Sequence, residues 1–399
     1  MEGVVAMVEE TMVVIVGAGP SGLATSACLG DIPHVILERE DCYASLWKKR
    51  SYDRLSLHLA KEFCHLPLMP LPPKSPTYLS KKEFIEYLDR YVSEFKINSR
   101  FHQSVESASY DEVEKRWVIE YKNTLSGEVK VLVAKFLVVA SGENNEGYIP
   151  NIPGLETFQG EIMHSSIYKC GLAFRDQNVL VVGSGNSGME IAYDVSNYGA
   201  LTSIVIKSSF HVLTKGMVRL GMLLLMKKLP LWLVDFIVTS LALYAYGDLT
   251  RFGIRRPKSG PFYLKSTTGR SAVIDVGTVQ KIKNGDIDVV PAITMVKENS
   301  VVFENGIERQ FDAIVFATGY RSLANTWLKD YKYGLNAKGL PKNSFPNHWK
   351  GENNLYVAGL SRRGLEGVGK DAIAIAGDIK KIMMTGQLMF KYGLRTSSS

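Results

Sequence analysis

Phe158-Gln-Gly160-Glu-Ile-Met-His164-Ser-Ser-Ile-Tyr168, then the apolar run Asn178-Val-Leu-Val-Val182 and Gly183-Ser184-Gly185-Asn186-Ser187-Gly188, form the stretch on which the rest of the chain turns. The final six residues are a G-x-G-x-x-G turn placed between a predicted strand and a predicted helix, the context such a motif needs. Glycines there let backbone amides approach a pyrophosphate, whose charge then sits at a helix N-terminus among unpaired N–H groups. A second copy lies upstream as Gly17-Ala18-Gly19-Pro20-Ser21-Gly22, so the sequence carries two candidate dinucleotide cradles.

The upstream copy belongs to a β-α-β pattern. Thr11 to Val16 is an apolar strand, Ser21 to Leu29 begins a helix, and Val35 to Leu37 is a second strand ending at Glu38. An acid about 20 residues past the first glycine accepts hydrogen bonds from ribose hydroxyls. In the second unit the strand Ser203 to Ile206 ends instead in Lys207-Ser208-Ser209. A cation and hydroxyls suit the extra phosphate of NADP, which an acid would repel. The two ends therefore read as FAD at the first cradle and NADPH at the second.

The totals agree with an enzyme of two such units. The 399 residues are 46% hydrophobic, enough for more than one core, and the charge of +7 is scattered rather than gathered into a nucleic-acid stripe. Cys28, Cys42, Cys64 and Cys170 show no C-x-x-C and no metal-ligand spacing, as in a protein with reduced thiols. That argues against a dithiol disulfide reductase on the same fold, and no metal is expected. The N-terminal apolar run is too short for a secretory signal. Leu229 to Tyr246 approaches the length of a membrane span, but Pro230 and Asp235 interrupt it, so it reads as a buried or surface-docking helix. The expected location is the cytosol, with the endoplasmic reticulum surface as the alternative.

Between the cradles, Ser80 and Glu83 form a capping-box pattern that starts a helix running to about Phe95. Trp117 to Tyr121 and Val129 to Val133 flank the Ser126-Gly127 turn as antiparallel strands. Phe136-Leu-Val-Val-Ala140-Ser141-Gly142 then finds an echo in Ala313-Ile-Val-Phe-Ala317-Thr318-Gly319. Both strands are expected to return to the first unit. The fold class is thus α/β, with two Rossmann-like domains: residues 1–172 and 311–399 make the FAD domain, and residues 173–310 form an NADPH domain inserted into it. Past Leu355, a strand and a glycine-rich loop lead toward a helix from about Asp371.

The two glycine turns bracketing Phe158-x-Gly160-x-x-x-His164-x-x-x-Tyr168 resemble the flavin-containing monooxygenases. Leu57-His58-Leu59-Ala60-Lys61-Glu62-Phe63-Cys64, Ser141-Gly142-Glu143-Asn144, Ala317-Thr318-Gly319-Tyr320 and Arg362-Arg363-Gly364-Leu365 resemble the plant YUCCA subgroup, the indole-3-pyruvate monooxygenases of auxin biosynthesis. That resemblance implies that NADPH reduces FAD, that O2 adds to give a flavin hydroperoxide, and that indole-3-pyruvate is converted to indole-3-acetate with loss of CO2. It adds Leu46 and Trp47 to the flavin site and names His58 as the candidate catalytic residue, with His164 holding the inter-domain link. Lys207 stands where the subgroup has arginine, keeping the charge without the bidentate fork, and Ala60 stands where proline is usual. Rival readings are oxygenation of a nitrogen or sulfur nucleophile, and a non-catalytic NADP sensor. For the substrate carboxylate, Arg219, Arg251 and Arg255 are candidates beside the hydrophobic insert.

Overall fold

The structure, a computed structural model, describes residues 8–392. β1 (Glu9–Val16), α1 (Pro20–Leu29) and β2 (His34–Leu37) form the first β-α-β unit. Val13, Val14 and Ile15 have no exposed surface, as an apolar strand covered on both faces of a parallel sheet requires. β3 (Ser99–Arg100), β4 (Gln103–Asp111), β5 (Arg116–Asn123) and β6 (Val129–Val139) complete the order β3-β2-β1-β6-β5-β4. β6 is parallel to β1 and takes β5 antiparallel along its first half. The 123–128 turn has the expected chemistry: Asn123 Oδ1 accepts from the N–H groups of Leu125 and Ser126, and Gly127 takes φ +75°. The predicted capping box is present at α2 (Lys81–Glu94), with Ser80 and Glu83 bonded reciprocally.

The second sheet is parallel throughout, with order β10-β9-β8-β11-β7 for β7 (Glu161–His164), β8 (Asn178–Val182), β9 (Leu201–Val205), β10 (Ile287–Val290) and β11 (Ala313–Phe316). α3 (Asn186–Asn197) follows β8. The chain then builds α4 (Lys215–Met226), α5 (Leu231–Tyr246) and α6 (Pro261–Thr268) before closing the sheet. Past β11 it crosses back, with Tyr320 and Arg321 antiparallel to Gly147 and Glu146, adds β12 (Leu355–Val357) beside the second half of β6, and ends in α7 (Gly364–Tyr392).

Three expectations are corrected. β11 does not return to the first sheet; it pairs with β8 and β7 in the second. The reason is a repeat carried within each unit: Ala140 O lies 2.6 Å from where a Cβ on Gly17 would be, and Ala317 O lies 2.5 Å from the corresponding point on Gly183. Each glycine turn thus packs on the end of its own neighbouring strand. Boundaries at 173 and 310 accordingly cut the second sheet, leaving both β7 and β11 outside it. Finally, α7 starts at Gly364 rather than near Asp371, because the glycines read as a loop lie within its first turns; its packing against α1 overrides their low helix propensity.

The apolar 229–246 run is interrupted as expected. Pro230 precedes α5, and buried Asp235 accepts from the N–H groups of Phe262 (2.8 Å) and Tyr263 (3.0 Å), binding the start of α6. Among the described residues no helix is long and apolar enough to cross a membrane.

Candidate active site

The two glycine turns are near copies in three dimensions. Gly17 and Gly183 take φ +107° and +115°, a region open to glycine but costly for other residues. A Cβ on Gly22 would lie 1.9 Å from Gly17 O, and one on Gly188 lies 1.9 Å from Gly183 O, so these third glycines let helix and strand close together. At Gly19 and Gly185, by contrast, nothing lies within 4 Å of a Cβ. Each middle glycine therefore leaves bare backbone facing open space at a helix N-terminus, where a pyrophosphate is favoured.

A cavity of 480 Å³ opens at the first turn. Gly17, Gly19, Pro20, Ser21, Glu38 and Leu46 line it. Ala18 contributes from behind: it is buried, and its N–H donates to Glu38 Oε2 at 2.8 Å. Glu38 Oε1 accepts from Glu40 N at 3.0 Å, which fixes the carboxylate in the cavity wall. Gly22 packs rather than lines, and half-buried Trp47 meets Phe84 edge-on at 4.6 Å against the first unit's core, beside the residues that line the cavity. Two wall groups, Ser141 Oγ and Glu143 Oε2, are buried without a hydrogen-bond partner. Orphaned polar atoms beside a bare glycine cradle fit a polar, ring-bearing dinucleotide. Arg50, held by Glu40 and donating to Asn145 O at 3.2 Å, also lines this cavity and was missed, because no local pattern marks it.

A larger cavity, 730 Å³, lies beside the second turn. Asn186 lines it and bonds its far wall, donating to Ala272 O (3.2 Å) and accepting from Ile274 N (2.7 Å). His58 lines this cavity, not the first. Its Nε2 donates to Glu190 Oε1 at 2.6 Å, while Tyr52 OH donates to Glu190 Oε2 at 2.8 Å. Glu190 is 3% exposed and sits on α3, so the second unit's helix is tied to two residues from the first unit's long connection. Burial, reinforced by Glu190, pushes the Tyr52 phenol well above its ordinary range. The sequence offered no sign of Glu190, whose partners lie more than a hundred residues away.

The remaining candidates divide. The parallel register Val205↔Val182 sets Lys207 and Ser208 just beyond the strand end that neighbours the glycine turn, and both are exposed and line neither cavity. Ser184 and Ser187 are half-buried members of the turn. Arg270 joins the Lys207 side by donating to Ser209 O at 3.0 Å, a second cation that local sequence reasoning missed. His164 accepts Ser166 N at Nδ1 (3.1 Å), which leaves Nε2 to donate to Gly319 O (3.0 Å), and its ring lies edge-on to Tyr320. It thus braces the segment where the chain crosses between units, and burial holds its imidazole below the usual pKa. Of the arginines near the insert, Arg219 is paired with Glu62 at 2.6 Å and Arg251 lies over Phe252; neither they nor Arg255 line the second cavity.

Two sheets, the first mixed and the second parallel, each carrying a cradle of bare amides with a cavity beside it, define an oxidoreductase built on two dinucleotide sites. A family model described as flavin-binding monooxygenase-like matches residues 10–363, and the chain belongs to that family. It is 55% identical over 379 residues to the probable indole-3-pyruvate monooxygenase YUCCA10 of Arabidopsis thaliana, covering 94% of this chain and 99% of that one. Among solved structures it resembles a flavin-containing monooxygenase from Stenotrophomonas maltophilia (TM-score 0.70, 20% identity, 94% and 99% covered). It also resembles OTEMO in complex with FAD and NADP (TM-score 0.70, 16% identity, 94% and 86% covered).

Proposed function

We propose that this enzyme converts indole-3-pyruvate to indole-3-acetate, with one NADPH and one O2 consumed and CO2 and water released. The observation that carries this reading is the 730 Å³ cavity, lined both by Asn186 of the second glycine turn and by apolar side chains such as Val218, Met222 and Phe262. Such a lining suits an aromatic ring, and the activity named for the Arabidopsis relative supports the choice of substrate.

In this reading Gly17 to Gly22, Glu38 and Leu46 hold FAD, and Gly183 to Gly188 with Lys207 and Ser208 hold NADPH. When bound, these cofactors supply the hydride and the chemistry with O2 that no side chain provides. The protein's own part is to orient and to exclude water. His58 donates from Nε2 to Glu190, which orients the ring of this cavity residue. His164 keeps the two units in register and takes no part in proton transfer.

Mass spectrometry of products tests the reading, using flavin-loaded protein with NADPH, air and indole-3-pyruvate beside a no-enzyme control. NADPH-dependent indole-3-acetate is expected. Consumption of NADPH with hydrogen peroxide as the only product refutes the substrate and turns attention to amine and thioether nucleophiles.

A further inference from the structure

Three cations and one acid meet in the wall between the two cavities. Lys265 on α6, Arg362 and Arg363 line the second cavity, and Glu143 lines the first. Arg362 Nε lies 3.8 Å from Glu143 Oε2, an oxygen that is buried and accepts no hydrogen bond. Among the described residues Lys265 Nζ hydrogen-bonds neutral partners only, Ser271 Oγ at 3.0 Å and Gly269 O at 3.3 Å. The Arg363 guanidinium stacks 3.8 Å over the Phe345 ring. The charges at this point therefore do not balance, with the Arg362 side chain 48% exposed and that of Glu143 28% exposed. Burial pushes Lys265 below its ordinary pKa, with Glu143 opposing and both arginines adding to the depression. Burial likewise raises Glu143, against the pull of Lys265 and Arg362. A cleft lined by more cations than acids concentrates positive potential and attracts an anion.

The same cavity is also lined by the apolar side chains Leu213, Val218, Met222, Leu225, Leu231 and Phe262. A ligand that satisfies both kinds of lining carries an anionic group and an apolar ring. We propose that Lys265 and Arg362 form the subsite for the carboxylate of the 2-oxo acid substrate, holding the carbon next to it at the wall shared with the first cavity. This assignment rests on the oxo-acid reading above. It replaces Arg219, which Glu62 already occupies, and Arg251 and Arg255, which lie outside the cavity. Arg363 is committed to Phe345 and contributes field rather than contact.

The same cations could instead take a phosphate of NADPH, and the experiment separates the two. Lys265→Met, Lys265→Arg and Arg362→Gln are prepared as flavin-loaded proteins and compared for flavin content, for the rate and NADPH dependence of anaerobic flavin reduction, and for KM and kcat with indole-3-pyruvate and its methyl ester. Lys265→Met and Arg362→Gln should raise KM for the acid at least tenfold, leave KM for the ester and the NADPH dependence within twofold, and retain flavin; Lys265→Arg should recover most of the loss. A parallel arm follows the flavin spectrum on binding of indole-3-acetate and its amide. There the wild type should prefer the acid and Lys265→Met should not, a result that holds whether or not indole-3-pyruvate is turned over. If the wild type makes no indole-3-acetate but this preference is present and lost on mutation, the functional reading falls and the carboxylate subsite stands. Unchanged KM for the acid, equal effects on acid and ester, or a weakened NADPH dependence overturns the subsite, the last by assigning these cations to the cofactor.

Discussion

Alanine at Gly185 and alanine at Gly188 should do opposite kinds of damage, although both lie in one turn. A Cβ on Gly188 would sit 1.9 Å from Gly183 O, a backbone atom that cannot swing aside, so α3 must retreat from β8 by more than an ångström. That helix buries Met189, Ile191, Ala192 and Val195, and prising such a face from its sheet costs about 3 kcal/mol, the upper end for overpacking. For a chain of 399 residues unfolding as one unit, this lowers the melting temperature by about 4 °C. At Gly185 the backbone is extended (φ −76°, ψ −175°) and a Cβ meets nothing within 4 Å. Alanine is a poorer N-cap than glycine but restricts the unfolded chain, so stability should change by less than about 1 kcal/mol. Its methyl would instead fill the space above the bare amides, weakening NADPH binding tenfold or more, about 1.4 kcal/mol. Thermal unfolding by circular dichroism and anaerobic flavin reduction against NADPH concentration give the two readouts. A Gly185→Ala protein that binds NADPH like the wild type, or a Gly188→Ala protein that melts like it, would refute the reasoning.

Other outcomes follow from the contacts between the units. Glu190→Ala strands the buried Tyr52 hydroxyl and frees His58, at a cost of about 2–4 kcal/mol, whereas Glu190→Gln keeps an acceptor for Tyr52 and should cost less; equal melting temperatures for the two would contradict the shared-carboxylate geometry. Because burial lowers the His164 pKa, the folded protein binds that proton less readily than the unfolded chain. The resulting penalty is absent above the ordinary histidine pKa and grows as pH falls below it, so His164→Gln should flatten the loss of stability between pH 7 and about 5.5; melting curves that fall in parallel would exclude this. Lys207→Ala should raise KM for NADPH about tenfold while leaving NADH nearly unchanged, and Arg270→Ala should do the same more weakly; an equal effect on both nucleotides would remove these residues from the phosphate site.

Much of this was legible because it is local. The glycine turns, the Ser80 cap, the Ser126-Gly127 turn and the end of β2 at Glu38 each depend on backbone conformation and hydrogen bonds within a few residues, or on one β-α-β unit. Trp47 shows the ambiguity of a large aromatic ring, which suits a core as well as a cofactor: it is half-buried and packs on Phe84. The start of α7 was misread because propensity speaks for an isolated helix, whereas this one is held by α1. Arg50, Glu190 and Arg270 carry no pattern of their own, and their roles come from partners far along the chain.

By itself, the sequence determined that there are two dinucleotide cradles of different polarity, since φ above zero, a missing Cβ and an acid or a cation at a strand end are properties of the residues present. Only the tertiary structure decided which sheet each strand joins. Phe136 to Val139 and Ala313 to Phe316 have the same local character, and pairing is chosen by the neighbour whose glycine turn fits over the strand's end. The tertiary structure also gathered Glu143, Lys265 and Arg362 from three distant segments, because such a charge cluster is placed by the folding of whole units and leaves no periodic trace in the chain.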